Sequence, residues 1–219
     1  MPTLRELNIV IGQDTQAAKI FENLFEGRDF TEIAYQTPSE YIKIYWDKYC
    51  QVREELIPND QTRRGVNGKI FECIIATLLV REHIYPIYMS AKVAFVPNIN
   101  YDLLLYSTDQ GPICLSAKTS FRERYKQADL EAIALKYVHR KSKAYLLTLS
   151  ENDAKSVNEK QRAGDVIGLD SAIYTLSEVF DNLIKEIKSY HLTTAPIIHV
   201  VNSNQVVSEE ILQKHIPEY

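Results

Sequence analysis

The sequence predicts an α/β fold: a central mixed β-sheet flanked by helices, preceded by a mostly helical N-terminal segment. Three observations predict it. Short apolar or alternating runs, "KVAFV", "YDLLLYS", "PICLSAK" and "KAYLLTL", are bounded by Pro, Gly, Asp and Asn, as strands are. Longer stretches carry apolar residues at helical spacing. Their order is helix, three strands, helix, strand, then strand and helix, which implies a mixed sheet with helices packed against it. A chain of 219 residues is enough for one sizeable core and too short for two comfortable domains. Residues 1–60 therefore read as a helical segment packed on a core over residues 61–219, serving dimerisation or contact with a ligand macromolecule.

Taken in order, "DTQAAKIFENLFEG" places Ala18, Ile20, Phe21, Leu24 and Phe25 on one helical stripe, and Gly27 stops it. "TPSEYIKIYWDKYCQVREELIP" starts at Pro38 and Ser39, ends at Pro58, and holds Trp46, the only tryptophan. "NDQTRRGVNG" reads as a loop by composition. From Asn67, "NGKIFECIIATLLVREHI" is apolar on most faces, a buried helix. The four strand runs follow, with "FRERYKQADLEAIALKYVHRK" between the third and the fourth as a helix carrying Arg, Glu, Lys and Gln on its exposed side. "GDVIGLDSAIYTLSEVFDNLIKEIKSYH" reads as a strand, a turn and a helix. There is no internal repeat and no low-complexity segment.

Charged residues make up 25% and hydrophobic residues 45%, an ordinary globular profile. The net charge of −4 excludes a wholly basic DNA-coating protein but leaves room for a local basic patch. Cys50, Cys73 and Cys114 are odd in number and lack C-x-x-C spacing, so they read as buried thiols in a reducing compartment. The N-terminus carries charges in its first six residues, with no signal-peptide pattern, and no run approaches membrane-spanning length. An intracellular protein that does not enter membranes is expected.

The stretch from Asn100 to Ala132 carries the chemistry. Asp102 opens "YDLLLYS" and Lys118 ends "ICLSAK". A hairpin of these strands brings both side chains to one end of the sheet. Such a pair suits phosphodiester hydrolysis. The carboxylate holds a hard cation such as Mg2+, and the lysine orients the attacking water or stabilises charge on the phosphate. A single carboxylate is a thin ligand set, so a second acid is required. The position two residues before the lysine holds Ser116. Glu131, thirteen residues after Lys118 in the following helix, returns over the strand end, with Gln127 one turn earlier on the same face. Glu72 stands either as a further carboxylate assisting a second metal or the water, or at a polar edge of its helix. Ser116 reads as a small filler, not a nucleophile. Arg122, Glu123 and Arg124 are fitted to read G·C pairs: arginine is bidentate to guanine O6 and N7, and glutamate accepts from cytosine N4. Lys126, Arg140 and Lys141 are candidates for phosphate contact. His139 reads as part of a solvated helix end.

These residues resemble the PD-(D/E)xK nuclease superfamily. More narrowly, they are similar to type II restriction endonucleases of the EcoRII, SsoII, PspGI and NgoMIV group. In that group the acid before the lysine is replaced, and a glutamate on the next helix takes its role. The pattern stands here as Lys118, Arg122-Glu123-Arg124, Tyr125, Gln127 and Glu131. It covers residues 100–132 closely and 67–185 loosely, and does not reach residues 1–60. One departure is that Tyr101, not proline, precedes Asp102. The resemblance implies a restriction-endonuclease-like core and a prokaryotic, cytoplasmic, Mg2+-dependent homodimer. Its substrate would be double-stranded DNA with a GG- and CC-containing site such as CCNGG, CCGG or GGNCC, and a cognate DNA methyltransferase would be its functional, not physical, partner in a restriction-modification system. Two other readings of the same residues are a structure-specific repair or junction-resolving nuclease, and a DNA-binding module with an inactive site. Taken alone, Arg122 to Lys126 would read as a solvated helix face.

Overall fold

A computed structural model describes residues 3–10, 15–96, 98–121 and 123–197. Three helices come first: α1 (Thr15–Asn23), α2 (Pro38–Leu56) and α3 (Asp60–Arg81). Then follow β1 (Tyr88–Ala91), β2 (Tyr101–Ser107), β3 (Gly111–Lys118), α4 (Arg124–Val138), β4 (Lys143–Thr148), α5 (Glu151–Ala163), β5 (Ser171–Tyr174) and α6 (Glu178–Ser189). The five strands form one sheet in the order β1-β2-β3-β4-β5. β1, β2 and β3 pair antiparallel, and β3, β4 and β5 pair parallel. The parallel pairs require crossovers, which α4 and α5 supply. The fold is a mixed five-stranded sheet flanked by helices, with helices at the N-terminus.

Alternation along the strands sorts the core into two layers. Ile113, Leu115 and Ala117 of β3, with Leu103 and Leu105 of β2, face a layer built from α1, α2, α3 and α6. Cys114 of β3 and Leu104 of β2 face the layer of α4 and α5, where Ala128, Ala132 and Leu135 meet Ala154 and Val157. By the same alternation Ser116 and Lys118 continue the α4-facing side of β3. On the other layer, Tyr41, Tyr45 and Tyr49 of α2 are fully buried, and Phe21 of α1 stacks on Tyr45 at 4.8 Å between centroids. Among the described residues no helix is long and apolar enough to cross a membrane.

Three expectations need correction. "NDQTRRGVNG" is not a loop: α3 starts at Asp60, because Asn59 caps it by accepting the Thr62 N–H at 2.9 Å, and Asp60 pairs with Arg63 and Arg64 in the first turns. "KVAFV" is a turn with Phe95 exposed at φ 64°, and the edge strand β1 lies before it. An additional helix, α5, follows β4. It is polar, with only Ala154 and Val157 buried, so it carries little apolar periodicity. Its ends are nevertheless marked, by Ser150 accepting the Asp153 N–H and by left-handed Gly164.

Candidate active site

The site forms where β2 parts from β3. Their register runs from Ser107↔Gly111 to Leu103↔Leu115 and stops there, while β3 stays paired with β4 as far as Lys118↔Thr148. At the break the Asp102 side chain takes over. Its Oδ2 accepts the backbone N–H of buried Ala117 at 2.9 Å and the Lys118 ammonium at 2.6 Å. The two side chains are about four-fifths and three-quarters buried, at 19% and 26% exposure. Lys118 is thus fixed by the sheet from one side and by Asp102 from the other.

Helix α4 brings the second acid. Ala128, Ala132 and Leu135 are buried on its sheet-facing stripe, and Glu131 lies on that side, one turn from each end of the stripe. Tyr101 positions it directly: its hydroxyl, on a ring buried beside α4, donates to the Glu131 carbonyl at 3.0 Å. The residue before Asp102 therefore ties the helix to the strand that carries Asp102. Gln127 donates to Glu131 Oε1 at 2.8 Å. Burial pushes the Glu131 carboxyl above the ordinary range and the Asp102 charge adds to this, against the pull of Gln127 and Lys118.

Glu72 reaches the same neighbourhood from α3. Its side chain is 12% exposed and pairs with Lys69 at 3.1 Å. Burial raises its proton affinity, the Asp102 charge raises it further, and Lys69 and Lys118 oppose. Asp102 and Lys118 thus act on both glutamates, and the four charged groups share one end of the sheet. Beside Glu72 a cleft of about 380 Å3 opens between α3 and β1.

Each of the three acids has one oxygen engaged and one without a hydrogen-bond partner among the described residues: Asp102 Oδ1, Glu131 Oε2 and Glu72 Oε1. No three His, Cys, Asp or Glu side chains among the described residues converge tightly enough to cage a metal by themselves. A Mg2+ ion typically takes one or two carboxylates and completes its shell with water and substrate phosphate. Asp102 and Glu131, oxygen donors whose charges oppose each other, fit that requirement.

Ser116 is buried, with Cys114 Sγ 3.7 Å from its Oγ. The Cys114 thiol is pushed up to about 12, first by burial, so it stays protonated. Arg122 lies outside the described residues. On either side of it the chain is anchored: the buried Phe121 gives its N–H to Asp153 Oδ2 at 2.8 Å and accepts the Arg124 N–H at 2.6 Å. Glu123 is 85% exposed and pairs with Lys126, which is itself exposed. Arg140 and Lys141 follow the far end of α4, roughly 20 Å along the helix axis from Arg124, and are not brought to the site. His139 is half-buried beside the exposed Arg140 and Lys141, and its Nε2 is buried without a hydrogen-bond partner among the described residues.

Sequence reasoning missed Arg64, Asn67, Thr119 and Ser120. Thr119, Ser120 and Arg124 line a cleft of about 150 Å3 with Arg64 and Asn67 of α3. Arg64 and Asn67 lie one helical turn apart on α3, a signal hidden by reading residues 59–68 as a loop.

No family model matches the chain, and no curated protein matches it. Among solved structures it is similar to a restriction endonuclease PspGI–substrate DNA complex, with 22% identity, coverage of 84% of this chain and 78% of that one, and a TM-score of 0.46.

Proposed function

We propose that this chain is a Mg2+-dependent endonuclease that hydrolyses double-stranded DNA at a short palindromic site containing GG and CC steps, as type II restriction endonucleases do. The observation that carries the nuclease reading is the Asp102–Lys118 pair at the end of the sheet, with Glu131 on α4 and Glu72 on α3 both under the influence of its two charges. Asp102 and Glu131 would hold the cation through their unengaged oxygens. Bound there, it lowers the pKa of a coordinated water and neutralises charge on the phosphate oxygens.

The chain's own residues do the rest. Lys118, already held against Asp102, donates to the attacking water or to the phosphate oxygen on which charge builds. Water oxygen bonds to phosphorus, and the bond from phosphorus to the leaving oxygen breaks, its electron pair staying on that oxygen, which takes a proton from solvent. Glu72, with its raised proton affinity, is suited to accept the proton that the water loses. Glu123 and its neighbouring arginines meet the DNA next to this site, with Glu123 the acceptor for cytosine N4. A palindromic site calls for a two-fold symmetric homodimer.

Incubation of the purified protein with phage DNA and Mg2+ tests the proposal. Discrete fragments support it. A smear, or cutting only at branched junctions, makes it a nuclease of another specificity. Intact DNA overturns it.

A further inference from the structure

The two acids that would hold the cation sit on different elements. Asp102 belongs to β2 and is fixed by the sheet, through the Ala117 N–H at 2.9 Å. Glu131 rides on α4, so its place depends on how that helix lies across the sheet. Position 116 of β3, where a second acid would share the register of the sheet itself, holds serine. An acid moved from a strand to a helix needs a strut back to the strand, because a misplacement of about 1 Å in a site can cost about 100-fold in rate.

Tyr101 has the geometry of that strut. It directly precedes Asp102. Its ring is 1% exposed and packs in the cluster that holds Phe121, Ala128 and Ala132. Its hydroxyl donates to the carbonyl of Glu131 itself at 3.0 Å. Residue 131 lies in the middle of α4, where one lone pair of its carbonyl serves the helix and the second is open to the phenol. One side chain thus runs from the peptide beside one acid to the peptide of the other. The same turn of the helix is gripped a second time: the buried Asp129 accepts the N–H groups of Gly168 at 2.7 Å and Leu169 at 3.1 Å. Asp129 ties α4 to the loop before β5, and Tyr101 ties it to the strand that carries Asp102.

We propose that Tyr101 is a positioning residue that sets the separation of the Asp102 and Glu131 carboxylates, and with it the affinity of the site for its cation. The proposal rests on the reading that these two acids share a cation. It gives a task to the residue at which the sequence departs from the resembled pattern.

The test compares Tyr101→Phe with the wild type in the full chain. The variant keeps the ring and removes the donor. Two readouts follow the cation. One is the Ca2+ concentration that gives half the full rise in melting temperature, and the other is the Mg2+ concentration that gives half the maximal single-turnover cleavage. Both should increase about 10-fold, the lower end of the loss expected when a residue that orients a metal ligand is removed. Tyr41→Phe controls for lost stability alone. The Tyr41 ring is equally buried, and its hydroxyl donates to Thr77 Oγ1 at 3.0 Å in the layer on the other face of the sheet. That variant should melt lower without moving either midpoint. A Ca2+ midpoint that moves no further in Tyr101→Phe than in Tyr41→Phe overturns the proposal. So does an unmoved Mg2+ midpoint in a protein that cuts, or a wild type that Ca2+ does not stabilise. If the Ca2+ midpoint shifts and the wild type cuts no DNA, the nuclease reading fails and the strut stands. If the wild type cuts DNA and neither midpoint shifts, only the strut fails.

Discussion

Asp102 has two tasks that two substitutions separate. Its Oδ2 accepts the N–H of Ala117, a residue only 1% exposed, and it also holds Lys118. Asp102→Ala leaves that N–H without its acceptor, which costs about 1–3 kcal/mol. Lys118 is 26% exposed and rehydrates, so its lost pairing adds little. For a domain of this size the melting temperature should fall by about 2–12 °C. Asp102→Asn keeps a carbonyl oxygen in reach of Ala117 and should lose less than about 1 kcal/mol. Both variants relieve Glu72 and Glu131 of the same negative neighbour, so the difference between them isolates the bond to Ala117. Both should lose cleavage, since neither supplies a carboxylate to the cation. The assays are calorimetric melting and cleavage of supercoiled plasmid in Mg2+. Equal destabilisation by Ala and Asn would refute the structural half of the argument, and plasmid cutting by Asp102→Asn the chemical half.

Burial and the Asp102 charge raise the Glu131 carboxyl above the ordinary value of 4.5, so the folded state binds more protons than the unfolded one between that value and the raised one. Stability should fall as pH rises through that window, and Glu131→Gln should melt higher than wild type at neutral pH, with the gain vanishing below pH 4.5; equal melting at both pH values contradicts this. Ca2+ should raise the melting temperature of the wild type, by about 2.7 kcal/mol of stability at a hundredfold excess over Kd. The Asp102→Asn, Glu131→Gln double variant should show no such gain, and an equal gain would place the cation elsewhere. Gly168→Ala should destabilise by about 1–3 kcal/mol, because its Cβ would lie 2.4 Å from the Asp129 carbonyl oxygen and 2.6 Å from the Ile133 nitrogen, both α4 backbone atoms; an unchanged melt would show that α4 and this loop separate freely.

The strands at the centre of the sheet were legible because they are short, apolar and cleanly bounded: "YDLLLYS" and "PICLSAK" correspond to β2 and β3. Helix α5 was not, because Ala154 and Val157 are its only buried residues and its polar face dominates the pattern. The start of α3 was hidden for a different reason. Asn59, Asp60 and Gly65 are turn formers by composition, yet Asn59 acts as a cap and Asp60 favours the first helical turn. At the site, the pairing of Asp102 with Lys118 follows from a hairpin and was within reach of the sequence. The Tyr101 hydroxyl on the Glu131 carbonyl was not, since it depends on how α4 crosses the sheet. The cleft beyond Lys118 likewise joins Arg64 and Asn67 of α3 to Thr119, Ser120 and Arg124, more than fifty positions away, and no local pattern announces it.

The central claim is that Glu131, carried by α4, completes the site begun by Asp102 and Lys118. The direct measurement is the single-turnover rate of DNA cleavage in Mg2+ for Glu131→Gln, beside Asp102→Asn, Lys118→Ala and wild type. Glu131→Gln should fall to the level of Asp102→Asn, a loss on the order of 100-fold or more, with DNA binding in Ca2+ retained. Cleavage by Glu131→Gln at the wild-type rate would contradict the account, because Asp102 would then be the only acid serving the cation.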